Sequence, residues 1–413
     1  MTIAAAFSGW SREQKNAVIA CFLGWSLDAF DFFLMVFILR DVAKEFGVPI
    51  TDVTVAILLT LAMRALGAFV FGRLADRFGR RRLLMIDIVL YSILEFASGF
   101  AWSLTSLLVL RALFGIAMGG EWGIGASLTM ETIPSRARGI VSGLLQAGYP
   151  TGYLLASLVY TLLYSSIGWR GMFMIGVVPA LLVLFIRRNV KESPSWRPRA
   201  PQEGGTLAVL RRHWRLGLYA VILMTAFNFF SHGTQDLYPT FLQVQHGFAP
   251  HTVGIIAIVY NIGAILGGLT CGFLSERFGR RRMIVIAALL ALPILPLWAF
   301  SDTPAMLALG AFLMQFMVQG AWGIIPAHLN ELSPDEARGT FPGFVYQLGN
   351  LIASANATMQ AGIAASHGGN YGLALALVCG IVAVAIALLA GFGVEAKGIA
   401  FGRGDAPAAA QGV

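Results

Sequence analysis

The sequence predicts an all-α integral membrane protein: twelve transmembrane helices in two six-helix bundles around a central cavity. Three observations carry this. Charged residues make up only 12% of the 413 residues and hydrophobic ones 57%, whereas a soluble domain carries roughly 25% charged residues. Apolar stretches of bilayer-spanning length, about 20 residues, recur along the whole chain. The second half of the chain repeats the first at an offset of 200.

The spans fall at 16–39, 53–72, 83–102, 105–131, 139–161 and 170–188, then at 216–240, 252–272, 283–300, 304–331, 339–362 and 370–392. An even number of spans puts both termini on one side. Lysine and arginine crowd that side, in 73–82, 187–215 and 273–282 above all. On the other side lie only Arg40, Lys44 and Arg170, with Arg64 and Arg111 inside spans. The positive-inside rule makes the arginine-rich side cytoplasmic. The formal charge of +8 follows from basic loops facing anionic lipid and calls for no nucleic acid. The first span lacks a cleavable signal pattern and is expected to stay in place. Cys21, Cys271 and Cys379 all fall in spans and read as small buried residues; no metal framework is expected.

The repeat is specific. GRLADRFGRRR at 72–82 returns as GFLSERFGRRR at 272–282, and ETIPSRARG at 131–139 as ELSPDEARG at 331–339; Trp122 and Trp322 stay in register. Parallel repeats of this kind build two bundles related by an axis along the membrane normal. The predicted organisation is a bundle at 1–188, a cytoplasmic linker at 189–213 rich in proline, glycine and arginine, a bundle at 214–395 and a tail at 396–413.

These motifs, with the RALFGIAMGGEWG run and ESPSW at 192–196, resemble the major facilitator superfamily over the whole chain. The resemblance implies a cytoplasmic gate that latches when the cavity opens outward. Its expected members are Asp76, Arg77, Arg80, Glu131 and Arg138, with their counterparts Glu276, Arg277, Arg280, Glu331 and Arg338. Asp76 and Glu276 lie near the start of the following helix, where negative charge is favoured. Glu131 with Arg138, and Glu331 with Arg338, look like latch partners.

Residues 228–240, NFFSHGTQDLYPT, load an apolar run with polar groups. Asn228, Ser231, His232 and Gln235 are spaced i, i+3, i+4 and i+7 and form one helical stripe, with Asp236 at its edge. The offset maps Asn228 onto Asp28, so two equivalent helices put polar groups at the bilayer middle, where transporter sites lie. Ionisable groups there must face protein or water. Arg64, deep in the second span, is the candidate cation for a carboxylate, which a guanidinium can grip bidentately. It can also pair with Asp28 or Asp31. Arg111 reads as a second cavity cation or a partner of Glu95, and Asp87 as a dipole or loop partner near the start of the third span. Gln146, Tyr149 and Tyr153 share a face of the fifth span and are candidates to line the cavity or to pack against other spans, and so are Tyr346, Gln347 and Asn350 of the eleventh. His328 reads as a packed histidine.

Asn228, Ser231, His232, Thr234, Gln235, Asp236 and Thr240 also fill a pattern similar to that of the fungal lactate and pyruvate proton symporters, a group related to the sialate:proton symporters. The resemblance implies proton-coupled uptake of a short monocarboxylate by alternating access, in the inner (plasma) membrane, without cofactor; a monomer is expected because each chain already contains both bundles. The candidate proton carriers are Asp28, Asp31, His232, Asp236 and Glu121. A sialic or other sugar acid, a dicarboxylate or an aromatic acid is the alternative cargo. A non-transporting sensor is a further one, although sensors of this fold are expected to carry longer cytoplasmic segments. An enzyme is not expected: no nucleophile elbow, zinc cluster or phosphate loop occurs.

Overall fold

A computed structural model describes residues 6–196, 205–399 and 401. Twelve helical spans cross the molecule. In the first half they are α1 (Arg12–Phe46), α2 (Ile50–Phe78), α3 (Arg80–Ser98), α4 (Leu104–Thr132), α5 (138–167) and α6 (169–189). In the second half they are α7 (Trp214–Gln245), α8 (Pro250–Phe278), α9 (Arg280–Ala299), α10 (Pro304–Leu332), α11 (Phe341–Ala353 with Asn356–Ser366) and α12 (Tyr371–Phe392). Among the described residues, eight of these helices are individually long and apolar enough to cross a bilayer. The other four carry their interruptions in sequence. The α3 helix holds Arg80, Asp87 and Glu95, α11 breaks at 354–355, and α5 and α6 meet at Gly168.

Local chemistry sets the ends. Ser11 and Ser103 form capping boxes with Gln14 and Ser106, satisfying amides that the first helical turn leaves open. Gly79 and Gly279, at φ of 102° and 93°, make the equivalent turns from α2 to α3 and from α8 to α9. These φ values suit only glycine, and a Cβ would also strike Glu192 or Glu395. That accounts for the glycine before each triple arginine. The expected end of the fifth span at 161 is too early. The helix runs on until Gly168, at φ 63° and ψ −175°, reverses the chain. The seventh span does not stay regular to 240: its α-helix ends at Gln235, and a π-turn over Phe241–Gln245 completes it.

The outer faces present leucine, isoleucine and valine, with Leu58, Ile93, Leu162, Leu181 and Ile381 more than half exposed. Such a belt is expected of a surface solvated by lipid, within which helices satisfy their own backbone. Inside, the second bundle packs around Trp298, stacked on Tyr238 with ring centroids 5.3 Å apart. The first and last described residues lie against one face: Arg136 donates to the Ser8 carbonyl, and the Phe401 ring lies over Arg138 and Arg338. Between the halves, a short helix covers Gly205–Arg212. Parts of the expected linker, 197–204, and of the expected tail, 400 and 402–413, lie outside the described residues.

On this terminus side the halves meet backbone to backbone. A Cβ on Gly143 of α5 would sit 2.2 Å from the carbonyl oxygen of Gly268 on α8, and one on Gly139 would sit 2.3 Å from that of Gly272. The α2 and α11 helices meet in the same way at Gly72 and Thr340. Small residues permit this approach.

Candidate functional site

A cavity of about 440 Å³ lies between the bundles. Helix α1 contributes Trp25, Phe32 and Phe33, α2 contributes Arg64, and α5 contributes Gln146, Tyr149 and Tyr153. Facing them, α7 contributes Asn228, Ser231, His232, Gln235 and Asp236, the whole stripe that the spacing predicts. Thr234, within the same motif, turns away and is bonded to Gln315 and to backbone. The cavity extends to Val36 and Pro239, on the side away from the termini. Toward the termini the close glycine contacts shut it.

The two walls differ in chemistry. Among the lining residues Arg64 is the one arginine or lysine. Its Nη2 reaches Asp28 Oδ2 at 3.4 Å, its guanidinium lies 5.8 Å from the Trp25 ring, and Trp25 stacks on Tyr149. On the opposite wall His232 bridges Asp236 at 3.2 Å through Nδ1 and Asn350 at 3.0 Å through Nε2. The side-chain amide of Gln235 donates to Ser231 Oγ and to Gln315 Oε1, and that of Gln319 donates to Ser231 Oγ. These bonds fix the amide wall.

Not every predicted residue reaches the cavity. Asp28, Asp31 and Glu121 are fully buried behind it, inside the first bundle. Arg111 joins them there; it pairs with Glu95 at 2.7 Å and donates to Ser98, so it is no cavity cation. Asp87 is no loop partner. It is fully buried two turns into α3, against Gly120 of α4. His328 is fully buried, as a packed histidine should be. The cavity residues missed in the sequence are Gln315 and Gln319 on α10, with Tyr260 and Asn261 on α8. An i, i+4 glutamine pair in an apolar span was the available signal.

At the terminus side the expected ion pairs exchange partners. Glu131 accepts from Arg80 at 3.3 Å and from Ser193, not from Arg138. Glu331 accepts from Arg280 at 2.9 Å, and Arg138 approaches it from the other bundle at 3.7 Å. Arg338 turns to Asp335 and to the carbonyls of Asn330 and Ser333. The geometry explains the exchange: Arg138 opens α5, which abuts the second bundle. Asp76 and Glu276 cap helices of the opposite half, and each also pairs with the first arginine of the helix that follows, Arg80 at 3.0 Å and Arg280 at 2.8 Å. Asp76 accepts from the Gly339 amide at 2.7 Å, the Thr340 amide at 3.1 Å and the Thr340 hydroxyl at 2.6 Å. Glu276 accepts from the Gly139 amide at 2.5 Å. Negative charge at a helix N-terminus is favoured wherever it comes from. Arg77 and Arg277 take no part in these contacts; both are exposed, each near the ring of the adjacent phenylalanine.

The major facilitator superfamily model matches residues 20–248 and 223–400. The chain belongs to the major facilitator superfamily. It is 31% identical to a probable 4-methylmuconolactone transporter of Cupriavidus pinatubonensis, over 97% of this chain and 96% of that protein. It is 29% identical to a carboxylic acid transporter protein homolog of Saccharomyces cerevisiae, over 85% of this chain and 62% of that protein. It is 28% identical to the sialic acid transporter NanX of Escherichia coli, over 94% and 98%. The solved proton:xylose symporter XylE shares the fold, with a TM-score of 0.76 at 18% identity over 94% of this chain and 98% of that one. The fold is that of a multi-pass membrane transporter, and no member of this set of relatives is an enzyme by name.

Proposed function

We propose that this protein is a secondary active transporter that moves an organic acid with a proton, by alternating access, and that a short monocarboxylate such as lactate or pyruvate is its cargo. The observation that carries this reading is Arg64. Among the described residues that line the cavity it is the one permanent cation, and the other wall holds neutral amides, a histidine and an aspartate. One guanidinium matches one carboxylate. The relatives named for a carboxylic acid and for sialic acid fit an acidic cargo.

In this reading the arginine-rich side is cytoplasmic, the membrane is the inner (plasma) membrane, and the structure stands with its cytoplasmic side latched. The two halves, 1–188 and 214–395, rock about the site, joined by 189–213. Asp28 holds Arg64 in the empty site, and a proton on Asp28 releases the guanidinium to the substrate. The His232–Asp236 pair is the second candidate carrier, since histidine titrates near neutrality. A proton that enters with the anion cancels its charge, so uptake follows the proton gradient. The cytoplasmic latch consists of Asp76, Arg80, Glu131, Arg138, Glu276, Arg280, Glu331 and Arg338. The chain works as a monomer, because each chain already contains both bundles.

A second reading has its own observation. Among the described residues, seven side-chain amides line the cavity, from Gln146, Asn228, Gln235, Asn261, Gln315, Gln319 and Asn350. Its volume falls in the range of sites for larger ligands, roughly 300–1,000 Å³. Both suit a hydroxylated or ring-bearing acid. Competition against labelled lactate in reconstituted vesicles separates the two. Three-carbon acids compete best in the first reading, and sugar acids or ring-bearing acids in the second.

A further inference from the structure

Behind the cavity, the interior of the first bundle holds more acid than base. Asp28 and Asp31 on α1, Asp87 and Glu95 on α3, and Glu121 on α4 are each no more than 1% exposed. The cations among them are Arg64 on α2 and Arg111 on α4, at 2% and 1%. Five carboxylates against two guanidiniums leave three without a countercharge. Two are matched: Asp28 to Arg64 at 3.4 Å and Glu95 to Arg111 at 2.7 Å. Asp31, Asp87 and Glu121 have no hydrogen-bond partner on either oxygen. An ionised carboxylate in that setting lacks both water and a partner, and such a group neutralises by binding a proton instead.

The groups form one electrostatic neighbourhood. Asp87 feels Glu121 and Asp28, Asp31 feels Glu95, Asp28 and Arg111, and Glu121 feels Asp28 and Arg64. Cys21 of α1 and Glu121 both border Gly125 of α4. An independent observation lies among them. Tyr91, one helical turn from Asp87 and from Glu95 on α3, is fully buried, its hydroxyl has no partner, and it feels the charges of Asp31, Glu121, Asp28 and Asp87. It is one more buried polar group of this interior that engages no partner. Among the described residues, no three histidine, cysteine or acidic side chains converge closely enough to hold a metal ion.

We propose that Asp31, Asp87 and Glu121 are held as neutral carboxylic acids and form a three-proton store inside the first bundle, with Asp28 its link to Arg64 and so to the cavity. Each binding step is a carboxylate taking one proton to give the acid, and release runs through Asp28. The store's role in transport rests on the proton-coupled reading above; its existence does not.

The test is infrared difference spectroscopy on the full chain in lipid nanodiscs at neutral and alkaline pH. It follows the carbonyl stretch of protonated carboxyl groups, which shifts on exchange into deuterium oxide. The expected result is a carboxylic-acid band in the wild-type protein at neutral pH. Asp31→Asn, Asp87→Asn and Glu121→Gln each remove one of three comparable components. Absence of any such band from the wild-type protein overturns the proposal, and that readout requires no variant to fold. So does a band that survives all three substitutions, or one that sodium ions abolish, since a metal cation would then be the counterion. Failure of the transport reading looks different: the band is present while the vesicles take up no acid.

Discussion

The sharpest consequence of the latch geometry is an inequality between two acids that the sequence presents as equivalents. Asp76 of the first half accepts three hydrogen bonds from Gly339 and Thr340 of the second. Glu276 of the second half accepts one from Gly139 of the first. These bonds bridge the two bundles, so they exist only while the terminus side is shut. Hydrogen bonds to a charged group contribute about 1.5–3 kcal/mol each, less whatever water restores on opening. For Asp76→Ala, a net of about 3 kcal/mol is a fair sum, or roughly a hundred-fold shift toward the state open at that side. For Glu276→Ala the corresponding figure is about 1.5 kcal/mol, roughly ten-fold, because a single bond between the bundles is lost. The assay is distance measurement between spin labels on introduced cysteines, one pair spanning the terminus side and one the opposite side. The native Cys21, Cys271 and Cys379 are buried, so they compete little for label. Equal shifts from the two substitutions, or no shift from Asp76→Ala, would refute the reasoning.

Other outcomes follow from the same structure. Arg64→Lys keeps the charge but loses the planar fork, and substrate affinity should fall by about ten-fold or more in a binding titration. Arg64→Ala also strands the buried Asp28 carboxylate, a change of about 2–5 kcal/mol that should remove measurable binding; Asp28→Asn on that background should restore thermal stability but not binding. Gly143→Val places a side chain against the α8 backbone at Gly268. The latched state should lose about 1–3 kcal/mol, seen as a lower melting temperature and a wider terminus-side distance. Phe401→Ala removes a ring whose centroid lies 3.6 Å from the Arg138 guanidinium and 4.0 Å from that of Arg338. At about 0.5–2 kcal/mol per contact, it should open the terminus side several-fold in the same spin-label assay.

Much of the fold was legible because membrane physics writes it in composition. Apolar runs, asymmetric arginines and the 200-residue repeat are each signals with a single cause. The α7 stripe was legible for a similar reason: polar groups at helical spacing in a lipid span have one place to face. What escaped were relations between elements. Nothing in ETIPSRARG says that Glu131 will meet Arg80 while Arg138 crosses to Glu331; that follows from how α5 abuts the second bundle. Asp87 read as a dipole or loop partner because it lies near the start of the third span, close to the arginines. In the structure the helix carries those arginines at its mouth and buries Asp87 two turns in. Gln315 and Gln319 form a stripe of the same kind as α7's, shorter and without an ionisable member. The helix break at Gly168 rests on one positive φ that no periodicity announces.

The central claim is that Arg64 and the polar stripe of α7 carry an organic anion together with a proton. Its most direct test is uptake of labelled L-lactate into proteoliposomes under an inward proton gradient, with an uncoupler and with the Arg64→Ala and His232→Ala variants. The account predicts accumulation that the uncoupler collapses, that Arg64→Ala abolishes, and that His232→Ala uncouples or abolishes. Carboxylate uptake that ignores the gradient, or that survives loss of Arg64, would contradict it.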